Sequence, residues 1–153
     1  MFRAIVVGTD GSATAGEAVR RARALAEAFA ADLHVVNAYK PPALVMAATA
    51  EPGLMPSAIM EWEAAASEDS RRLLDSVGDE LIGVGASVTT HAVAAHPAAA
   101  ILSVAETVGA DLIVVGNRGM QGTRRVLGSV PNHISHHAPC DVLVVDSVGA
   151  LVP

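Results

Sequence analysis

Two glycine clusters near the end of the chain have the residue types and spacing of an anion-binding site. The first, 116–119, follows the apolar run Leu112–Val115, and the second, Gly128-Ser129, comes after a spacer of eight residues. Glycine lets a phosphate approach the backbone N–H groups closely. Ser129 followed by Pro131 predicts a helix with Ser129 as its N-cap, and the free N–H groups of a helix N-terminus bind anions. The two clusters therefore predict a phosphate site.

Apolar segments surround this region and must position it. Continuous runs of Val, Leu, Ile and Ala are typical of strands, and the last two runs have the composition of parallel strands covered on both faces. Helical periodicity and capping signals lie between the runs. This alternation predicts an α/β protein with a doubly wound, five-stranded parallel sheet. The predicted strands are Ala4–Val7, Leu33–Ala38, Ser87–Val93, Leu112–Val115 and Val142–Val145, and the longest predicted helix is Ala58–Leu81.

Residues 41–57 break the pattern. They contain four prolines, one glycine and scattered Met and Ala, with no helical or strand periodicity. Loops of this length are usually functional or flexible. Two interpretations stay open for the segment, a flexible loop that closes over a ligand and an insertion without a function.

The composition excludes several classes of protein. The net charge of −6 disfavours a nucleic-acid-binding surface, which would be basic. Lys40 is the only lysine and no G-x-x-x-x-G-K-[ST] string occurs, so phosphate chemistry must use arginine and backbone N–H groups. Cys140 is the only cysteine, which excludes an intramolecular disulfide and a thiolate metal site. No stretch has the length of a signal peptide's apolar region or of a membrane span, so we expect a cytoplasmic protein without membrane contact.

Two motifs resemble the universal stress protein family. Gly-x-x-Gly, a spacer and Gly-Ser before an apolar strand are similar to its nucleotide-binding signature, and VVGTDGS at residues 6–12 is similar to its N-terminus. The usual spacer has nine residues, and the eight found here leave open how Arg124, Arg125 and Leu127 are placed. The resemblance covers nearly the whole chain. It implies a single domain over residues 1–153, with the strand order 3-2-1-4-5 of adenine nucleotide alpha hydrolase-like folds.

This strand order would place the first and fourth strands side by side where the winding direction reverses. Ligands of open α/β sheets bind there, at the carboxyl ends of the strands. The resemblance implies that Asp10 bonds a ribose hydroxyl or holds a divalent cation such as Mg²⁺; the alternative for Asp10 is a turn-forming or capping carboxylate. The implied nucleotide site comprises Gly8, Asp10 and Ala38 beside the adenosine, Gly116, Asn117, Arg118, Gly119 and Met120 around the ribose and phosphates, and Gly128, Ser129 and Val130 on the phosphates.

Two functional hypotheses follow. The first is a stress-response or signalling module that binds an adenine nucleotide, preferably ATP, with cAMP as the alternative. The second is a homodimeric, chaperone-like interaction protein in which nucleotide binding is incidental, because the apolar C-terminal strand and the residues after it would form a sheet edge that needs covering.

Catalysis and a histidine metal site have less support. No general base stands beside the glycine loop and no Ser-His-Asp arrangement fits the sequence order, so a binding module is favoured over an enzyme, with slow ATP hydrolysis as the most that we expect. His133, His136 and His137 share one face of the last predicted helix, but neither an HExxH string nor a cysteine pair accompanies them.

Overall fold

The computed structural model describes residues 1–41, 56–83, 87–117 and 127–146. Strands and helices alternate along these ranges, as predicted. The longest helix begins at Pro56, so residues 56 and 57, the last of the predicted 41–57 loop, are helical; residues 42–55 lie outside the described residues. The strands are β1 (Ala4–Gly8), β2 (Asp32–Tyr39), β3 (Val88–Ala94), β4 (Leu112–Gly116) and β5 (Asp141–Val145), and the helices are α1 (Ala13–Phe29), α2 (Pro56–Glu80), α3 (Pro97–Val108) and α4 (Ser129–His137).

All strand pairs are parallel and the sheet order is β3-β2-β1-β4-β5. The predicted order is therefore confirmed. Gly8 at the end of β1 pairs with Val36 of β2, and Val7 pairs with Val114 of β4. The winding direction reverses between β1 and β4, so their carboxyl ends border one crevice.

The two faces of the sheet carry separate hydrophobic cores, because successive strand residues point to opposite faces. Ile5 and Val7 of β1 join the core that α1 and α2 cover. Val6, between them, joins the core under α3 and α4. Within the described part of the chain, no helix combines the length and the apolarity that a membrane crossing needs.

Helix α4 begins one residue earlier than its capping signal predicts. The carbonyl of Gly128 accepts the first intrahelical bond, from the N–H of Asn132 (3.1 Å), so Gly128 is the N-cap and Ser129 is the first helical residue. The prediction of Ser129 as the cap was wrong. The N–H of Gly128 is bound to the carbonyl of Asn117 (3.0 Å), which holds the backbone of Gly128 extended at the point where the helix must begin.

Strand β5 also differs from its prediction as a strand covered on both faces. Exposure alternates along it, and Leu143 keeps 38% of its surface accessible. Val142 and Val144 pack into the core of α3 and α4, whereas on the other face only Val145 reaches the core of α1 and α2. Four apolar residues in succession are therefore compatible with an edge strand of which one face is only partly covered.

Candidate functional site

A cleft opens at the carboxyl edge of the sheet, above the crevice between β1 and β4. Its volume is about 190 Å³. Its position is typical of small-molecule sites in α/β proteins. The cleft is lined by Gly8, Thr9, Asp10, Ala15, Val36, Asn37, Ala38, Pro97, Ile101, Val115, Gly116, Gly128, Ser129, Val130 and Pro131.

Most of the described residues that the sequence assigned to a nucleotide site meet in this cleft. Gly8, Asp10 and Ala38 come from the ends of β1 and β2, and the others come from the end of β4 and the start of α4. Residues 118–126 lie outside the described residues, and with them Arg118, Gly119, Met120, Arg124 and Arg125. The predicted site residues that line the cleft are Gly8, Asp10, Ala38, Gly116, Gly128, Ser129 and Val130.

Asn117 does not line the cleft but joins three elements beside it. Its backbone N–H donates to the carbonyl of Val145 (2.9 Å), and its side-chain Nδ2 donates to Oδ1 of Asp146 (2.9 Å). Its carbonyl accepts from the N–H of Gly128 (3.0 Å). The end of β4, the end of β5 and the start of α4 are thereby held together, so the contacts of Asn117 fix the helix N-terminus against the glycine turn.

The first turn of α4 presents two backbone donors at the cleft. Pro131 has no N–H and the N–H of Gly128 is already bound, so Ser129 and Val130 carry the donors that an α-helix leaves without an internal partner. The partial positive charge of a helix N-terminus favours an anion at this position. The N-terminal turns of α1 and α3 contribute Ala15 and Pro97 to the same cleft, so three helices direct their positive ends toward it.

Asp10 lies in the β1–α1 turn and is exposed at the cleft. Its Oδ1 accepts a hydrogen bond from the N–H of Ser12 (2.9 Å), and Thr9 Oγ1 accepts from the N–H of Gly11 (3.2 Å). Ser12 in turn caps α1 by accepting from the N–H of Ala15 (3.2 Å). One carboxylate oxygen of Asp10 thus stabilises the turn, and the second oxygen is the one that could bind a ligand.

The described residues contain no group of three or more His, Cys, Asp and Glu side chains arranged to hold a metal ion. Any cation at Asp10 would therefore need the ligand's own oxygens as further partners. On α4, His133 and His137 stack with their ring centroids 4.2 Å apart, and His137 Nδ1 lies 2.9 Å from the carbonyl of His133. Ring stacking and this contact with the helix backbone account for the spacing of these histidines.

Sequence reasoning missed two polar residues of the cleft, Thr9 and Asn37, and most of its apolar wall. Asn37 follows the apolar residues Val35 and Val36 in the strand segment LHVVNAY and keeps only 8% of its surface exposed. A buried polar residue at the carboxyl end of a strand was the available signal, because such groups need a partner. The missed apolar residues are Ala15, Val36, Pro97, Ile101, Val115 and Pro131, which only the folded chain brings together.

These features define an α/β protein with a polar-edged cleft at the switch point of its sheet. A family model described as the universal stress protein family matches residues 1–146. The chain therefore belongs to the universal stress protein family.

Similar proteins share most of their length with this chain. Universal stress protein Rv1636 of Mycobacterium tuberculosis is 33% identical over 148 residues, which cover 94% of this chain and 96% of that protein. A crystal structure of a universal stress protein in complex with cAMP superimposes with a TM-score of 0.69 at 31% identity, covering 95% of this chain and 98% of the other. The structure of hypothetical protein MJ0577 has a TM-score of 0.79 at 24% identity, with coverage of 95% and 96%, and supports the fold alone.

Proposed function

We propose that this universal stress protein binds an adenine nucleotide in the cleft, with ATP preferred and cAMP as the alternative, and acts as a stress-response or signalling module. The observation that carries the proposal is the meeting of Asp10, Gly116 and the first turn of α4 in one cleft. The family member in complex with cAMP supports the ligand class.

Each part of the nucleotide has matching chemistry in the cleft. Val36, Ala38 and Ile101 offer an apolar surface to the base. The second carboxylate oxygen of Asp10 accepts a ribose hydroxyl. The N–H groups of Ser129 and Val130, with the Ser129 hydroxyl, donate to phosphate oxygens. Gly116 and Gly128 let the ligand approach the backbone, whereas the missing Cβ of Gly8 makes room for Ile101, whose Cδ1 would lie 2.5 Å from it. In the same proposal, Asn117 holds the phosphate-binding turn in place, and Arg118, Gly119 and Met120 surround the ribose and phosphates.

Magnesium enters the proposal as a companion of ATP. Mg²⁺ commonly binds through one or two carboxylates together with substrate phosphates and waters. Asp10 supplies one carboxylate at the cleft, so the phosphates would complete the coordination.

We propose binding rather than efficient catalysis. Among the described residues that line the cleft, Asp10 is the only titratable side chain, and it already supports the β1–α1 turn. The described lining residues include no side-chain cation to stabilise the charge of a transferring phosphoryl group, so ATP hydrolysis there would be slow.

The test begins with the purified protein, which is denatured by heat so that any bound nucleotide is released and identified by chromatography. Calorimetric titrations with ATP, ADP and cAMP follow. Micromolar affinity, about −8 kcal/mol, is expected for a sensor of cellular nucleotide. If no nucleotide is released and none of the three ligands binds, the proposal is wrong.

A second function, as a homodimeric interaction protein, is favoured by the exposure of Leu143 on edge strand β5. A Gly128 variant that has lost nucleotide binding separates the two functions. If that variant still protects stressed cells, dimerisation rather than nucleotide binding is the activity that matters.

A further inference from the structure

Asn37 makes two hydrogen bonds beneath the cleft, one through the nitrogen and one through the oxygen of its side-chain amide. Its Nδ2 donates to the carbonyl of Thr9 (2.7 Å), and its Oδ1 accepts from Oγ of Ser70 (2.6 Å). Asn37 and Ser70 keep only 8% and 4% of their surfaces exposed. Because an unpaired buried polar group is costly, these bonds define where the partners must sit.

The bond to Thr9 controls the backbone that carries Asp10. The N–H of Thr9 donates to the carbonyl of Val36 (2.9 Å), so both peptide groups of Thr9 are tied to β2. Asp10 is the next residue along the chain. With Thr9 held on both sides, the direction in which the chain leaves β1, and hence the position of the Asp10 carboxylate, depends on Asn37.

Helix α2 supports the same turn at two points on one of its faces. Ser70 holds Asn37, and Leu73, three residues on, packs against Gly11. A Cβ added to Gly11 would lie 2.9 Å from Cδ1 of Leu73, and Gly11 has a φ of +78°, so the turn is in close contact with α2 at a conformation that favours glycine. The turn bearing Asp10 is thus held between β2 and α2.

We propose that Asn37 and Ser70 are positioning residues that determine recognition of the nucleotide's sugar. Asn37 of β2 bonds to Thr9 and to Ser70 of α2. Both residues act on the ligand through Asp10, whose carboxylate they align with a ribose hydroxyl. The inference rests on the proposed function and adds to it the residues that set preference for ribonucleotides over nucleotides lacking sugar hydroxyls.

Two variants remove the hydrogen bonds of Asn37 to different extents. Asn37→Leu keeps the size of the side chain and removes both hydrogen bonds. Ser70→Ala removes only the support from α2 and is the milder change if Asn37→Leu does not fold. Ser76→Ala is the matched control, because Ser76 is an exposed serine on the same helix. Thermal melts establish which variants are folded.

The readout is the ratio of the dissociation constants for 2′,3′-dideoxy-ATP and ATP, measured by calorimetry. In the wild type and in Ser76→Ala, ATP should bind at least about tenfold more tightly, since a hydrogen bond to a charged group is lost with the hydroxyls. In Asn37→Leu the ratio should fall toward one, because ATP loses more affinity than dideoxy-ATP does. Ser70→Ala should give an intermediate ratio.

A role in stability alone would weaken both nucleotides equally and leave the ratio unchanged, which would overturn the inference. A ratio near one in the wild type would also overturn it, while nucleotide binding itself would stand. If the wild type binds neither nucleotide, nor cAMP, the proposed function fails and this inference fails with it.

Discussion

Gly128 and Ser129 allow the phosphate site to be tested one residue at a time. Gly128 has a φ of −59°, and a Cβ added there would meet the carbonyl oxygen of Asn117 at 3.4 Å and Pro131 at 3.5 Å, which is ordinary contact. Variants with a larger side chain at this position should therefore fold, because any residue can adopt this backbone conformation.

We expect ATP affinity to decrease from wild type through Ser129→Ala to Gly128→Val. Val at 128 would block the approach of phosphate to the N–H groups of Ser129 and Val130, and losing one or two charge-assisted bonds of about 1.5–3 kcal/mol should weaken binding at least tenfold. Ser129→Ala should cost less, because it removes a hydroxyl and leaves both N–H groups. Calorimetry on variants with a verified melting transition measures the order, and wild-type affinity in folded Gly128→Val would place the phosphate elsewhere.

At the scale of single residues, the sequence indicated the glycine clusters and Asp10 as site residues but did not indicate the contacts of Asn117. The type of a residue shows which bonds it can make, whereas its partners depend on the fold. Asn117 lies among predicted ligand residues, yet its contacts run to Val145, Asp146 and Gly128. Asn37 was missed because its partners, Thr9 and Ser70, are distant in sequence.

Helices α1 and α3 end in the same left-handed conformation with different residues. Ala30 ends α1 with a φ of 51°, and Gly109 ends α3 with a φ of 62°. The left-handed conformation costs a residue with a Cβ about 1–2 kcal/mol relative to glycine. Part of this advantage of glycine is offset, because glycine has more conformational freedom in the unfolded chain to lose on folding. We therefore expect Ala30→Gly to stabilise the protein by about 0.5–1 kcal/mol and Gly109→Ala to destabilise it by a similar amount.

Denaturant unfolding measures both changes. Gly16→Ala, inside α1 where a Cβ meets only Arg20 at 3.7 Å, is the control for the general effect of removing glycine and should stabilise the protein. A decrease in stability from Ala30→Gly would contradict the assignment of strain to the end of α1.

The pairing of β2 with β3 brings two histidines together and makes stability depend on pH. His34 Nδ1 lies 3.1 Å from His91 Nε2. Burial lowers the pKa of His34, against a weaker opposite effect of Asp32, and burial followed by the charge of His34 lowers the pKa of His91. Because both pKa values are lower in the folded protein than in the unfolded chain, the unfolded chain binds protons at a higher pH than the folded protein does. The free energy of unfolding should therefore decrease as the pH falls through about 6.5, the usual histidine pKa.

Melting temperatures at pH 7.5 and 5.5 test this pair, since both values lie above the usual carboxylate range near about pH 4. The wild type should melt lower at pH 5.5, and the double variant His34→Gln/His91→Gln should lose most of that difference. His136→Gln, at an exposed histidine of α4, should keep it. An equal pH dependence in the double variant and the wild type would remove the pair as its cause.

At the scale of the whole molecule, the alternation of apolar runs and helical segments predicted the architecture because a parallel sheet needs covering helices on both faces. The strand order came from the family resemblance and is confirmed. The partial exposure of β5 could not be read from its composition, because Leu143 and Val145 lie on the same face and only one of them reaches the core beneath α1.

We propose that edge strand β5 pairs with its counterpart in a homodimer. Among the described residues, no strand pairs with the outer edge of β5. Such an edge with an exposed Leu143 favours association, and a lysine there opposes it. Sedimentation at tens of micromolar should show a dimer for the wild type and a monomer for Leu143→Lys. Ile82→Lys, at an exposed apolar residue between α2 and β3, should leave the dimer intact. A monomeric wild type would contradict the proposal.

The central claim, that the cleft between the ends of β1 and β4 holds the nucleotide, is tested most directly by ¹H–¹⁵N NMR spectra recorded during a titration with ATP. The amide signals of Ser129 and Val130, together with those of Thr9 and Asp10, should shift most, and those of Thr89 to His91 on edge strand β3 should stay in place. Saturable binding with its largest shifts on any other surface, or no shift in the first turn of α4, would contradict the account.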